Sequence, residues 1–176
     1  ASKDAMDIDG LGWKIAEYLV DQKLISSAAD LYHLKIAELE HLEGFGEKSA
    51  TKLVAAIESS KTVALARVIY ALGIRHVGET LAKALVLKFP SIEKLSKANA
   101  EGLLEVPEVG EEVARSIREW FAKPRNRKLV RKLYDAGLRP RSAEIIKSGR
   151  FKGLTIVVTG SLSNMSRNEA HTLIES

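Results

Sequence analysis

The chain has 176 residues, no cysteine and a formal charge of +4, long enough for one sizeable helical domain and part of another. The missing thiols exclude a disulfide framework and a thiolate zinc site, and His33, His41, His76 and His171 show no ligand spacing, so no metal is expected. No apolar run reaches the length of a membrane span and the opening residues do not read as a signal peptide, so a soluble protein is expected.

The modest net charge hides a division. Residues 123–152 hold eleven Lys or Arg against Asp135 and Glu144, and the rest of the chain holds 16 basic against 21 acidic residues. Any affinity for nucleic acid outside the basic run must therefore come from placed groups rather than bulk charge. The basic run itself reads either as a solvated helix face and linker or as a strip that tracks phosphates.

In chain order, residues 1–9 are too few for a full leading helix, so something is expected to precede the first hairpin. Helical patterning then predicts helices over 13–22, 36–42, 47–60 and 63–72, with a short turn at 28–34. Further helices are predicted over 79–88, 92–95, 100–106 and 111–121, with Pro90 and Pro107 at boundaries. Pro124 precedes a basic helix over 125–136, for which Gly137 is a candidate C-cap. Residues 141–152 read as a basic linker. Beyond it, residues 154–159 form a β-branched strand and Ser166, with Glu169 three residues on, opens a helix to residue 175. A lone apolar strand cannot satisfy its backbone, so the chain is expected to stop partway into a second domain.

Within this succession one pattern recurs. Leu39 to Leu53 joins an apolar helix end, a Gly44-Phe45-Gly46 turn and a new helix. It returns as Gly10-Leu11-Gly12, His76-Val77-Gly78 and Glu108-Val109-Gly110, the second glycines stepping by 34, 32 and 32 residues. An Ala follows each second glycine at four residues (Ala16, Ala50, Ala82, Ala114), and Leu19, Leu53, Leu85 or Ile117 follows at seven. The spacer repeats as well: Leu31, Leu39, Leu42, Phe45 and Leu53 recur 64 residues later as Leu95, Leu103, Val106, Val109 and Ile117. The unit is a pair of hairpins used twice, which is the helix-hairpin-helix pattern in an all-α domain over residues 1–140.

Such a turn suits an anion. Glycine tolerates positive φ and lets another backbone approach, while the following helix presents unpaired N–H groups and the positive end of its dipole. Phe45 is expected to point inward, with Lys48 and Ser49 placed where a phosphate would lie. Trp13 reads mainly as partly buried packing, with a sugar contact as the alternative, and Trp120 and Phe121 as core.

The run Asp4-Ala-Met-Asp-Ile-Asp-Gly-Leu-Gly12, the run Ala71-Leu-Gly-Ile-Arg-His-Val-Gly78, the four hairpins and the closing Phe151-Lys-Gly-Leu-Thr-Ile-Val-Val-Thr-Gly-Ser-Leu162 together resemble the C-terminal half of bacterial NAD-dependent DNA ligases. The resemblance implies a hairpin domain followed by the opening of a BRCT domain over residues 153–176. It implies a monomeric, cytoplasmic, nucleoid-associated protein that grips duplex DNA, nicked, from the minor-groove side. The DNA-contacting positions it implies are Gly10, Leu11, Gly12, Gly44, Phe45, Gly46, His76, Val77, Gly78, Val109 and Gly110, with Lys14, Lys48, Arg75 and Thr80 beside them; the chemistry of the turn adds Ser49, and the basic run adds Arg125, Arg127, Lys128, Arg131 and Lys132 as a secondary contact. NAD, Mg and Zn would belong to family domains N-terminal to this segment, which has neither the Lys-x-Asp-Gly adenylation motif nor cysteine. The segment alone is expected to bind no cofactor and catalyse nothing.

Departures from the pattern rank the hairpins. His76 and Glu108 replace the first glycine of hairpins three and four, and Glu101, Glu105, Glu108, Glu111 and Glu112 surround the fourth. Hairpins one to three, led by Lys48 and Arg75, are therefore expected to contribute more than hairpin four. Two other functions were weighed. A glycosylase needs a carboxylate near position 66 to handle the departing base, and Ala66 lies between Leu65 and Arg67 there. A protein-interaction scaffold of helical hairpins and a BRCT domain is the non-enzymatic alternative.

Overall fold

A computed structural model of the chain describes residues 2–142, all helix, turn and loop apart from one isolated bridge. Nine α-helices follow in order: α1 (Trp13–Asp21), α2 (Ile36–Leu39), α3 (Glu47–Ser59), α4 (Leu65–Ala71), α5 (Glu79–Lys88), α6 (Ile92–Ser96), α7 (Ala100–Leu104), α8 (Glu111–Ala122) and α9 (Pro124–Asp135). Short 3-10 turns lie at Asp30–His33 and Ser60–Thr62. The anticipated linker from residue 143 and the β-α fragment over 153–176 fall outside the described residues.

Two apolar cores explain why the hairpins come in pairs. Ile8, Leu11, Leu19, Leu39, Ala50, Leu53 and Ile57 close the first, around hairpins one and two. Val68, Ile69, Val77, Ala82, Leu85, Leu103, Val109, Ala114 and Ile117 close the second, around hairpins three and four. A single helix hairpin has one apolar stripe and nothing to bury it against, whereas two hairpins cover each other. The positions repeated 64 residues apart line the cores: Leu39, Leu103 and Ile117 are wholly buried and Leu53 nearly so, with Leu31, Leu42 and Phe45 half-buried against the first core. Burying a side chain of this size contributes about 1.5–3 kcal/mol, so the repeat preserves core contacts first.

Tyr32 and Met6 touch both cores, and Tyr32 also hydrogen-bonds the buried Ser60 hydroxyl at 3.1 Å. Arg67 on α4 reaches back to the leading segment. Its Nε donates to the Ala5 carbonyl at 2.7 Å, a second guanidinium nitrogen donates to the Lys3 carbonyl, and Asp7 lies 3.5 Å away.

Several sequence expectations change here: α2 ends at Leu39 rather than residue 42 and α7 at Leu104 rather than residue 106. Helix α4 begins at Leu65 rather than residue 63, because Val63 is bonded from outside the helix: its carbonyl accepts from Arg141 N–H at 3.0 Å, and Leu65 N–H donates to the Arg141 carbonyl at 2.8 Å. Arg141, expected as the first linker residue, is therefore strapped onto the domain, and its Nε also donates to the Thr62 carbonyl at 2.8 Å. A pairing between segments this distant leaves no local signal in sequence.

Gly137 does end α9. It adopts φ +97°, with Gly137 N–H bonded to the Tyr134 carbonyl and Leu138 N–H to the Leu133 carbonyl, both at 3.0 Å, the paired bonds of a Schellman cap.

Candidate nucleic-acid interface

The four turns are built alike. The residue before the second glycine donates its N–H three residues back in each: Leu11 to Ile8 at 3.2 Å, Phe45 to Leu42 at 3.0 Å, Val77 to Ile74 at 3.0 Å and Val109 to Val106 at 3.1 Å. These four side chains plug the turn from inside, Leu11, Val77 and Val109 being buried and Phe45 half-buried against the first core. They support the turns by packing.

The first turn residue is left-handed every time. Gly10 and Gly44 have φ +81°, His76 +67° and Glu108 +65°. A side chain in this region costs roughly 1–2 kcal/mol, so hairpins three and four hold their geometry against strain through the core beneath them. The same backbone thus persists where sequence departs from glycine.

The second glycine is different. Gly12, Gly46, Gly78 and Gly110 have φ between −75° and −129° with extended ψ, a conformation open to any residue. A Cβ at any of the four would meet nothing within 4 Å. Neither strain nor crowding inside the protein calls for glycine there; its absence of side chain leaves the helix start bare toward the outside.

The helices that follow are also uncapped. No side chain caps α1, α3, α5 or α8 at the glycine, and its carbonyl accepts from Ala16, Ala50, Ala82 and Ala114 N–H at 2.9–3.0 Å, joined in α3 by Ser49 N–H at 3.0 Å. Two other helices carry side-chain caps, Ser91 accepting from Lys94 N–H at the start of α6 and Asn99 from Gly102 N–H at the start of α7, while α2 and α4 have none. Helix α9 opens on Pro124, which has no N–H. Four helices of eight residues or more thus present free N–H groups and a positive dipole end over a cleared surface.

The side chains around these starts differ. Lys14 and Lys48 occupy the second helical position of hairpins one and two, both exposed, with Thr80 and Glu112 equivalent in hairpins three and four. The Ser49 hydroxyl turns back on Gly46, accepting from its N–H at 2.9 Å and donating to its carbonyl at 2.8 Å, and so tightens the turn. The position just after the second glycine is Glu47, Glu79 and Glu111 in three hairpins and Trp13 in the first.

Trp13 is 81 % exposed and Val20, two turns along the same face, is 52 % exposed. The expectation that Trp13 is partly buried packing is overturned: α1 buries the side that carries Ile15, Ala16 and Leu19, which leaves position 13 pointing away and open to the alternative of a sugar contact. Trp120 and Phe121 meet edge-to-face at 4.8 Å in the second core, as expected.

Arg75 and His76 line one groove of about 400 Å³ together with Arg115 on α8 and Arg125 on α9. His76 Nε2 lies 3.2 Å from Glu112. The remaining basic residues of α9 do not share that groove. Arg127 and Arg131 line another concavity with Glu93, Lys132 lies 3.6 Å from Asp30, and Lys128 is exposed. Arg115 escaped the sequence reading and Lys123 entered it only as the first residue of the basic run; the convergence of three elements is what brings them together. Two of the carboxylates near hairpin four are occupied, Glu105 by Lys88 at 2.6 Å and Glu112 by His76.

Among the described residues no group of His, Cys, Asp or Glu could hold a metal ion, and no helix is long and apolar enough to cross a membrane.

Comparison with known proteins matches this geometry. A model described as a SAM-like helix-hairpin-helix tandem covers residues 2–59 and one described as a helix-hairpin-helix motif covers residues 67–130, the segments that build the first and second cores. The chain is 46 % identical over 175 residues to a DNA ligase of Acidithiobacillus ferrooxidans, and 47 % identical to the DNA ligases of Geobacter sulfurreducens, over 175 residues, and Methylococcus capsulatus, over 176. In each case 99 % of this chain aligns with 26 % of the relative, so it spans about a quarter of the length of the curated relatives it matches. Along its length the chain corresponds to a segment of DNA ligases that carries helix-hairpin-helix motifs.

Proposed function

We propose that this segment grips duplex DNA through its sugar-phosphate backbone, without regard to base sequence, and serves nick recognition and encirclement in a bacterial NAD-dependent DNA ligase. The observation that carries the reading is the set of four helix starts on bare, uncapped glycines, in a protein that caps α6 and α7 with side chains. Backbone N–H groups at a helix start suit phosphate oxygens and carry no base readout. Lys14, Lys48 and Arg75 add charge at three of the turns. Catalysis, with NAD, Mg and Zn, belongs to other parts of the whole enzyme, and a BRCT domain to the residues after the hairpins. The protein acts as a cytoplasmic, nucleoid-associated monomer.

The hairpins contribute unequally. Hairpin four presents Glu108, Glu111 and Glu112 at its turn, and carboxylates beside a phosphate seat repel it. Gly46→Asp is expected to weaken DNA binding more than Gly110→Asp, both variants remaining folded; the reverse order would overturn this ranking.

Fluorescence anisotropy of the chain against two unrelated duplexes across a salt series tests the main reading. Equal affinities are expected, with log K falling against log salt by about 0.9 per phosphate neutralised. Absence of binding at low salt would instead favour a scaffold of helical hairpins.

A further inference from the structure

We infer that the groove between hairpin three and the start of α9 is a second seat for phosphate, which holds the DNA backbone beside the hairpins rather than on their helix starts. The inference rests on the backbone-gripping reading and extends it to a surface the repeated motif does not contain.

The groove gathers cations from three separate elements: Arg75 from the hairpin-three turn, Arg115 from α8, and Lys123 and Arg125 from the junction into α9. All four are exposed. Among the described residues none of the four enters an ion pair, whereas Lys61, Lys83, Lys88, Lys97 and Lys132 each do. Two carboxylates share the groove. Glu112, 3.2 Å from His76, and Glu119 oppose the four cations, which outnumber the carboxylates by two.

Like charges brought together in a concavity repel each other, and low-dielectric walls focus their field outward. Water and salt screen such a cluster at a cost that a bound anion removes. A phosphodiester suits the arrangement better than a carboxylate, because two guanidinium forks can each present paired N–H donors to its oxygens. The groove is continuous with hairpin three through His76, which lines it and also holds the left-handed first position of that turn. A strand seated on the α5 helix start therefore has its next phosphates close to Arg75.

The partner chemistry is a phosphate, supplied either by DNA backbone or by a soluble polyphosphate; the assignment here is to DNA. The test is an Arg115→Ala/Arg125→Ala double variant, titrated by anisotropy against duplex DNA across a salt series. Equal thermal melting of variant and parent establishes that the fold is kept. A control, Lys94→Ala/Arg118→Ala, removes the same charge outside the groove.

The expected result is a shallower dependence of log K on log salt, by about 0.9 for one phosphate released and about 1.8 for two, with the control close to the parent. An unchanged slope in the double variant, while Gly46→Asp still weakens binding, overturns the groove and leaves the hairpin reading standing. An equal loss in the control reduces the effect to bulk charge and overturns it as well. Titration with inorganic tripolyphosphate separates the sources: binding lost in the double variant, with its DNA slope unchanged, would assign the groove to a soluble polyphosphate. A parent chain that binds neither duplex would overturn the DNA reading and this inference together.

Discussion

His76 and Glu112, 36 residues apart, meet at 3.2 Å and join the turn of hairpin three to the first turn of the helix after hairpin four. The contact brings a carboxylate to the rim of the basic groove. Its removal isolates that charge. Glu112→Gln is expected to tighten DNA binding at low salt about two- to fivefold, the scale of roughly 0.4–1 kcal/mol for an exposed charge, and anisotropy at two salt concentrations would read it. Weaker binding would mean that the contact positions His76 for the DNA.

The two glycines of one turn separate stability from binding. Gly44→Ala places a side chain at φ +81° and should cost about 1–2 kcal/mol. Gly46→Ala, with extended backbone and open space around the new methyl, should change stability by less than about 0.5 kcal/mol, since a poorer cap and a less flexible unfolded chain offset each other. It should nevertheless weaken DNA binding several-fold by covering the helix start. Urea melts and anisotropy on the two variants distinguish the roles, and a Gly46→Ala protein with parental affinity would argue that the phosphate does not approach that glycine.

Trp13 offers a direct optical report. The chain has two tryptophans, so Trp120→Phe leaves the exposed indole as the sole tryptophan, to be excited at the red edge where tyrosine does not absorb. Its emission should shift or quench on adding duplex, in step with anisotropy, because the ring stands at the mouth of hairpin one. Trp13→Ala should leave stability within about 0.5 kcal/mol, as expected for a surface position. Emission that stays constant while DNA binds would place the ring outside the interface.

Acid should weaken the short connection after α1. Asp30 accepts from the Ser26 hydroxyl at 2.7 Å and from the N–H groups of Ser26 and Ser27 at 2.9 and 2.8 Å, and these bonds, the Ser26 hydroxyl first, hold its carboxyl well below the usual carboxylate range. A lowered folded-state pKa contributes stability that is present above the unfolded value of about 3.9 and is lost as pH falls through the folded value. Asp30→Asn should therefore cost about 1–2 kcal/mol near neutrality, with the difference from the parent shrinking below pH 4 in urea melts. A difference independent of pH would assign the effect to packing.

Much of this fold is legible as periodicity. The 64-residue repeat by itself names the buried Leu39 and Leu103, Leu53 and Ile117, and the same register places the four turns. Helix ends were less accessible. Val63 and Ala64 have good helical neighbours, yet Arg141 bonds the Val63 carbonyl and the Leu65 N–H on either side of Ala64, and a contact across 78 positions writes nothing into the local pattern. Trp13 was misread for a related reason: an aromatic residue in a first turn fits packing as readily as exposure until the direction of the buried face of α1 is known.

The amino-acid sequence by itself determined the helix-hairpin-helix repeat, its pairing and its glycines, because burial periodicity and backbone freedom are properties of residue order. Tertiary structure alone decided which glycines face empty space, that His76 and Glu108 hold the left-handed turn without one, and that Arg75, Arg115, Lys123 and Arg125 share a groove. Those are relations between surfaces from distant elements. They are set by how the helices pack, and charges far apart in the chain come together only once the cores beneath them have closed.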